Sequence, residues 1–235
     1  RMKVTQGQIE KTKFNSASKT EAYEGESLTN TIEESIEFLA KAEVTQIILG
    51  DEFTERVTTS KKDGQIDLHD FAMPEPGEEL MMTYNSTGKI LKAGGYPPES
   101  LYFVPPVSLP DEKVRVGDTW NLNTHWLTEQ GVPLNLQLLS ILKGFVECGI
   151  KDMCADIELS GEVTIDSNLS GVSFKSIWKG RILFAVARGS MLWSLVESHE
   201  SWTSEKVHRE VRSCLESTLV EPIGWSVWND DSHKC

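Results

Sequence analysis

The side chains able to do chemistry are few and scattered. Five histidines, His69, His125, His199, His208 and His233, are spread along the chain. A nucleophilic serine of the hydrolase type stands in a GxSxG elbow between strand and helix, and no such pentapeptide occurs. HExxH, the phosphate-cradling P-loop, GxGxxG after a strand and CxxCH are absent as well. Two clusters carry the donor types of a divalent-cation site. Asp67, His69 and Asp70 fall in QIDLHDF, with Asp67 and His69 expected on one strand face; Asn229, Asp230, Asp231, His233 and Cys235 fall in the tail. Mixed polar residues at strand exits and chain ends are ordinarily solvated, so neither is assigned a metal. His199, Glu200 and His208 are expected to point to different faces. The chain is read as a non-enzyme, with no catalytic residue, no metal and no cofactor.

Four cysteines remain: Cys148, Cys154, Cys214 and Cys235. In VECGIKDMCADI a turn around Gly149 and Asp152 lets Cys148 and Cys154 face each other. Cys214 would then hold the tail through Cys235. Four cysteines allow three pairings, and spacing alone does not choose among them. The five-residue gap fits no zinc knuckle. Disulfides imply an oxidising compartment: periplasm, cell surface or medium. The chain opens on Arg1 rather than Met, and the N-terminus is read as processed.

Charge narrows the partners. With 36 acidic against 23 basic residues the net charge is −13, the wrong sign for neutralising a nucleic-acid backbone and for an anionic membrane surface. No apolar run is long enough to cross a bilayer as a helix.

The elements that must position these residues read as strands. In ADIELSGEVTID, Ile157, Leu159, Gly161, Val163 and Ile165 take one face and Asp156, Glu158, Ser160, Glu162 and Thr164 the other, a period of two that no helix face can hold. Val172, Phe174, Ser176 and Trp178 alternate with wet positions in the same way, and Val207 to Leu219 reads as a further strand. TNTIEESIEFLAKAE carries a capping-box pattern at Thr31 and Glu34, yet Ile32, Ile36, Phe38, Ala40, Ala42 and Val44 share a strand parity; a long strand is preferred. Residues 94–118 hold five of the nine prolines, which suits a semi-rigid connector and excludes a central strand.

The expected architecture is mainly β with few helices: two tandem, curved antiparallel sheets joined by that Pro-rich connector. The first unit spans 1–93, the connector 94–118, the second unit 119–221 and a tail 222–235. A possible internal repeat aligns the hairpin at Gly88 with that at Gly189. All seven tryptophans follow the connector. Sequons at Asn85 and Asn168 fall in predicted turns.

Val116, Gly117, Asp118, Thr119 and Trp120 form a "vGdtW" box, and Gly180, Phe184, Gly189 and Leu192 a later hairpin. On these residues the stretch 105–205 resembles a group of uncharacterised exported bacterial proteins related to the half-barrel lipoprotein carriers (LolA, LolB and LppX-like). Ala185 stands where that group has Asp. The resemblance implies a curved sheet around an apolar cavity and carries over no catalytic residue. Together these readings make the chain an exported binder of lipid or another apolar ligand, with Phe174, Trp178, Met191 and Trp193 lining the concavity. The alternative is a structural or adhesive surface component that self-associates or meets a partner protein through strand edges; a hydrolase ranks third.

Overall fold

The computed structural model describes residues 1–48, 51–71, 73–94, 109–127, 133–148, 152–165, 172–204, 207–222 and 235. They form eleven strands: β1 (Ile9–Glu24), β2 (Ser27–Ile48), β3 (Glu52–Asp63), β4 (Leu80–Asn85), β5 (Ile90–Ala93), β6 (Thr119–Leu127), β7 (Pro133–Glu147), β8 (Met153–Ile165), β9 (Val172–Ala185), β10 (Ser190–Ser204) and β11 (Val207–Glu221). A 3₁₀ turn at Leu68–Phe71 is the helical element among the described residues. The alternating segments are therefore strands, including Thr29–Glu43 within β2, where β-branched and paired residues outweigh the capping pattern.

Two tandem sheets were expected; there is one, in the order β5-β4-β3-β2-β1-β11-β10-β9-β8-β7-β6. The halves merge because β1 pairs with β2 on one side and with β11 on the other, from Lys11 opposite Glu221 to Glu24 opposite Val207. Two separate units would leave β1 and β11 as edges with a row of unpaired N–H and C=O groups; joining them satisfies both. Lys11 also reaches Glu221 at 2.8 Å and Lys13 reaches Glu37 at 2.6 Å across these seams. The hairpins at Gly88 and Gly189 are present, β4–β5 and β9–β10, but their strands differ in length, 6 and 4 residues against 14 and 15.

The sheet is rolled. The β4–β5 and β9–β10 turns lie six strand spacings apart, roughly 29 Å on a flat sheet at about 4.8 Å per strand. Yet the adjacent residues Met2 and Lys3 donate their N–H groups to Ser86 O (2.7 Å) and Gly189 O (3.1 Å), one in each turn. Leu109 makes a second bridge: its N–H donates to Thr87 O at 2.8 Å, while its side chain packs with Leu142, Ile157, Ile182 and Phe184 of β7, β8 and β9. Thus the part of the connector that is described, 109–118, is packed structure; 95–108 lies outside the described residues. The "vGdtW" box forms the turn into β6. Gly117 adopts φ +91°, a conformation cheap only for glycine, its N–H donates to Leu142 O (2.8 Å), and Asp118 Oδ2 accepts from Arg115 N (2.7 Å).

Rolling gives the sheet a concave face that collects most of the buried apolar residues. Over β1–β4, Phe14 stacks on Phe38 (centroids 4.7 Å, 10°) beside Ile36, Ala40, Val57, Leu80 and Met82. The excursion 64–79 covers this half from inside: Leu68 is fully buried in the cluster, and its N–H and Lys62 Nζ both meet Glu75 Oε1 (2.8 and 2.6 Å). Between the halves the concave face is lined by small hydroxyls; Ser194 and Ser217 bond at 2.6 Å, Ser198 and Ser213 at 2.7 Å. Short side chains there leave room for the sheet to curl.

Both disulfides, Cys148–Cys154 and Cys214–Cys235, are formed, which suggests an oxidising environment. They close loops with sequence separations of 6 and 21. In the chain-entropy picture, the longer loop stabilises by about 3 kcal/mol and the shorter by about 2 kcal/mol. Cys214→Ser with Cys235→Ser should therefore lower the urea midpoint more than Cys148→Ser with Cys154→Ser. The reverse order would show that the entropic account fails here.

Candidate functional site

One end of the rolled sheet is crossed by residues 2–3 and 109. At the other end β2 is exposed over residues 27–35. Along the wall that rises towards this second end, β6 to β10 present an apolar surface. Leu134, Leu136, Leu138, Val163 and Phe174 are buried in one cluster, with Leu122, Ile165, Trp178 and Trp202 half-buried against it. These positions share a face because register and parity agree: Leu136 opposes Val163, Val163 opposes Ser176, and Phe174 opposes Trp202. The Phe174 and Trp202 rings lie 4.2 Å apart at 43°. Trp178 stands opposite Gly161 on one side and Ser198 on the other, both too small to compete for the space, and its Nε1 donates to Ser176 Oγ at 2.8 Å.

A carboxylate interrupts this surface. Glu200 opposes Ser176 and Val211, on the same face as Trp202. Burial raises its carboxyl above the usual range, opposed by a hydrogen bond from Trp202 and by the charge of Arg209.

The four residues expected to line the concavity divide. Phe174 and Trp178 stand on the wall just described. Met191 also faces inward, but at the crossed end, against the cluster of Leu109, Ile157 and Phe184. Trp193 is carried to the outer face, because a β-bulge between Met191 and Trp193 breaks the period of two. There it is 1% exposed, packs with the Cys148–Cys154 disulfide and Leu183, and donates its Nε1 to Glu216 Oε1 at 3.1 Å. Trp202, which sequence reasoning missed, takes the place next to Phe174; only the β9–β10 register reveals the pair.

The histidines need corrections. His69 and Asp67 lie at the 3₁₀ turn rather than on a strand face. His69 is held by Asp67 Oδ1 and Glu78 Oε2, each at 2.8 Å, and the Glu78 bond is the main cause of its raised pKa. His199 and His208 were expected apart, yet Glu210 accepts from both on the outer face, from His208 Nε2 at 2.6 Å. They meet because their strands pair, with His199 opposite Arg212 and His208 opposite Thr203. Among the described residues no three His, Cys, Asp or Glu side chains form a group that would hold a metal ion. The side chain of His125, and all of His233, Asn168 and 229–231, lie outside the described residues. Asn85 ends β4, and its Oδ1 accepts from Thr87 N, Thr87 Oγ1 and Lys89 N (3.1, 2.8 and 2.9 Å) in the turn.

No protein family matches the chain, and no curated protein does. Among solved structures it is similar to lipovitellin, described for its lipid–protein interactions, with a TM-score of 0.51 and 11% identity over 96% of this chain and 26% of that one. It is also similar to the attachment invasion locus protein Ail of Yersinia pestis, at 8% identity over 92% of this chain and 99% of that one, TM-score 0.21. An outer membrane channel from Pseudomonas putida F1 matches at 9% identity over 93% and 97%, TM-score 0.27. The last two fall below the overlap of a shared fold. The chain spans about a quarter of the length of the lipovitellin chain, and over that part the two have the same β-sheet fold.

Proposed function

We propose that this chain is a non-enzymatic, extracytoplasmic protein that holds an apolar ligand against the concave face of its rolled sheet. The observation that carries this reading is the aromatic wall: Phe174, Trp178 and Trp202 stand together on the inward face of β9 and β10, towards the end opposite Met2 and Lys3. Such rings supply large apolar area, and indole N–H groups supply a polar handle. The fold shared with a segment of lipovitellin supports it, as does the resemblance of the "vGdtW" stretch to exported half-barrel carriers. The net charge of −13 and the inward Glu200 favour a neutral or zwitterionic lipid over an anionic one. A second reading rests on β6, whose nine residues pair, among the described residues, on one side only, with β7: a strand-edge scaffold.

Organic extraction of protein from its source, followed by mass spectrometry, should recover lipid. Titration with brominated phosphatidylcholine should quench tryptophan fluorescence, and Trp202→Glu should weaken that binding at least tenfold. A protein that yields no extractable lipid and shows no quenching overturns the carrier reading. Polymers on size-exclusion chromatography in the same preparation would then favour the scaffold.

A further inference from the structure

The outer face of the sheet carries a groove of about 820 Å³ at the centre of β2, β1, β11, β10 and β9. Its floor is made of small groups, Ala17, Ser35 and Cys214 of the disulfide, and longer side chains stand around them. Two of these conflict. Lys19 and Arg212 are directly opposite in the β1–β11 register, an arrangement that costs stability unless something neutralises it. Lys19 reaches Glu21 at 2.8 Å, and His199 beyond Arg212 is held by Glu210. Arg212 is exposed and, among the described residues, has no carboxylate within 4 Å. In a chain with 13 more acidic than basic residues, this guanidinium has, among the described residues, no ion-pair partner and stands beside a second cation in the wall of a groove.

The carboxylates of the groove have a complementary arrangement. Glu197 opposes Cys214 on one side and Lys179 on the other, while Glu33 opposes Lys19. Negative groups thus flank the cationic centre instead of covering it. A simple anion meets attraction at Arg212 and repulsion at the rim. A ligand with a phosphate joined by a short linker to an ammonium meets attraction at both. Arg supplies a planar fork suited to two phosphate oxygens, and Glu197 lies diagonally across the β10–β11 pair from it.

We propose that this groove binds a zwitterionic phosphate ester, phosphate on Arg212 and Lys19 and ammonium towards Glu197. It is separate from the concave wall and does not depend on that wall holding lipid. The test is calorimetric titration at low salt with phosphorylcholine, inorganic phosphate and dihexanoyl phosphatidylcholine below its micelle concentration. Phosphorylcholine should bind at least tenfold more tightly than inorganic phosphate. Arg212→Gln should abolish that binding, Arg212→Lys should keep part of it, and Glu197→Gln should erase the preference over inorganic phosphate. Equal affinity for phosphorylcholine and the short-chain lipid would assign a soluble headgroup, tighter binding of the lipid a lipid source; both fit the proposal. Unchanged binding in Arg212→Gln, or inorganic phosphate binding as tightly as phosphorylcholine, overturns it. Arg212 is exposed, so its variants should keep the circular dichroism of the parent, Arg212→Gln should not lower the urea midpoint because it removes a like-charge pair, and Trp202→Glu should leave phosphorylcholine binding intact.

Discussion

Gly161→Ala should cost about 3 kcal/mol, at the upper end for an overpacked site. A Cβ built on Gly161 would stand 2.1 Å from Gln137 O, 2.7 Å from Leu138 Cδ2 and 2.9 Å from Leu138 Cα. Side chains can rotate away, but two of those three atoms belong to the backbone of β7, so relief requires β7 and β8 to part where Leu138 opposes Gly161. Since a protein of this kind is stable by only about 5–15 kcal/mol in all, the loss should be plain in the urea midpoint. Gly144→Ala is the control, because a Cβ there meets nothing within 4 Å, and it should shift stability by less than about 0.5 kcal/mol. Equal midpoints for the two variants would mean that the β7–β8 register is wrong. A functional consequence follows as well: Gly161 lies under Trp178 on the concave wall, so the same methyl group should displace that ring and weaken apolar-ligand binding.

Glu55→Gln should stabilise the protein by about 2–3 kcal/mol above pH 7 and have no such effect below pH 4.5. Glu55 points inward from β3, opposite Val44 and Met82. Burial, helped by the charge of Glu10, pushes its carboxyl from 4.5 up to about 7. Glu10 offers no relief, since its own Oε1 already accepts from Ser190 Oγ (2.7 Å) and Gln8 Nε2 (3.1 Å), with Arg188 at 3.6 Å. Tyr84, also inward, donates to Met82 Sδ, and burial drives its own pKa far upward. Below pH 4.5 Glu55 is protonated in both the folded and unfolded states. As pH rises towards 7 the unfolded chain releases the proton and the folded one retains it, so stability falls by about 1.4 kcal/mol per pH unit until the folded group also ionises. Paired denaturation curves of Glu55→Gln and the parent at pH 4, 6 and 8 isolate this group from the other carboxylates. A gap that is constant with pH would refute a raised pKa at Glu55.

What could be read in advance followed from local rules. Ile157, Leu159 and Val163 alternate with charges because each strand has one dry and one wet side, and a period of two needs no knowledge of the neighbouring strand. The same logic placed Phe174 and Trp178 on one face. It failed at Trp193, where a single extra residue at the bulge reverses parity, and at His69, where a 3₁₀ turn replaces the expected strand. The Phe174–Trp202 contact, the Glu210 bridge between His199 and His208, and the Lys19–Arg212 conflict all depend on register, which sequence spacing does not contain.

Composition and alternation by themselves determined a β-rich chain with acidic charge, cysteines placed for bridges, and no recognisable reaction motif. Each is a property of residue types and of neighbours within a few positions. Only the tertiary structure decided that there is one sheet, because pairing β1 with β11 joins residues about 200 positions apart, and hydrogen bonds between backbones are nearly blind to side-chain identity. It alone decided the direction of curl, since the bridges at Met2, Lys3 and Leu109 tie together turns that lie far apart in the chain. Which residues then share a wall or a groove follows from that closure, a collective outcome of strand pairing and burial that no local window of the chain records.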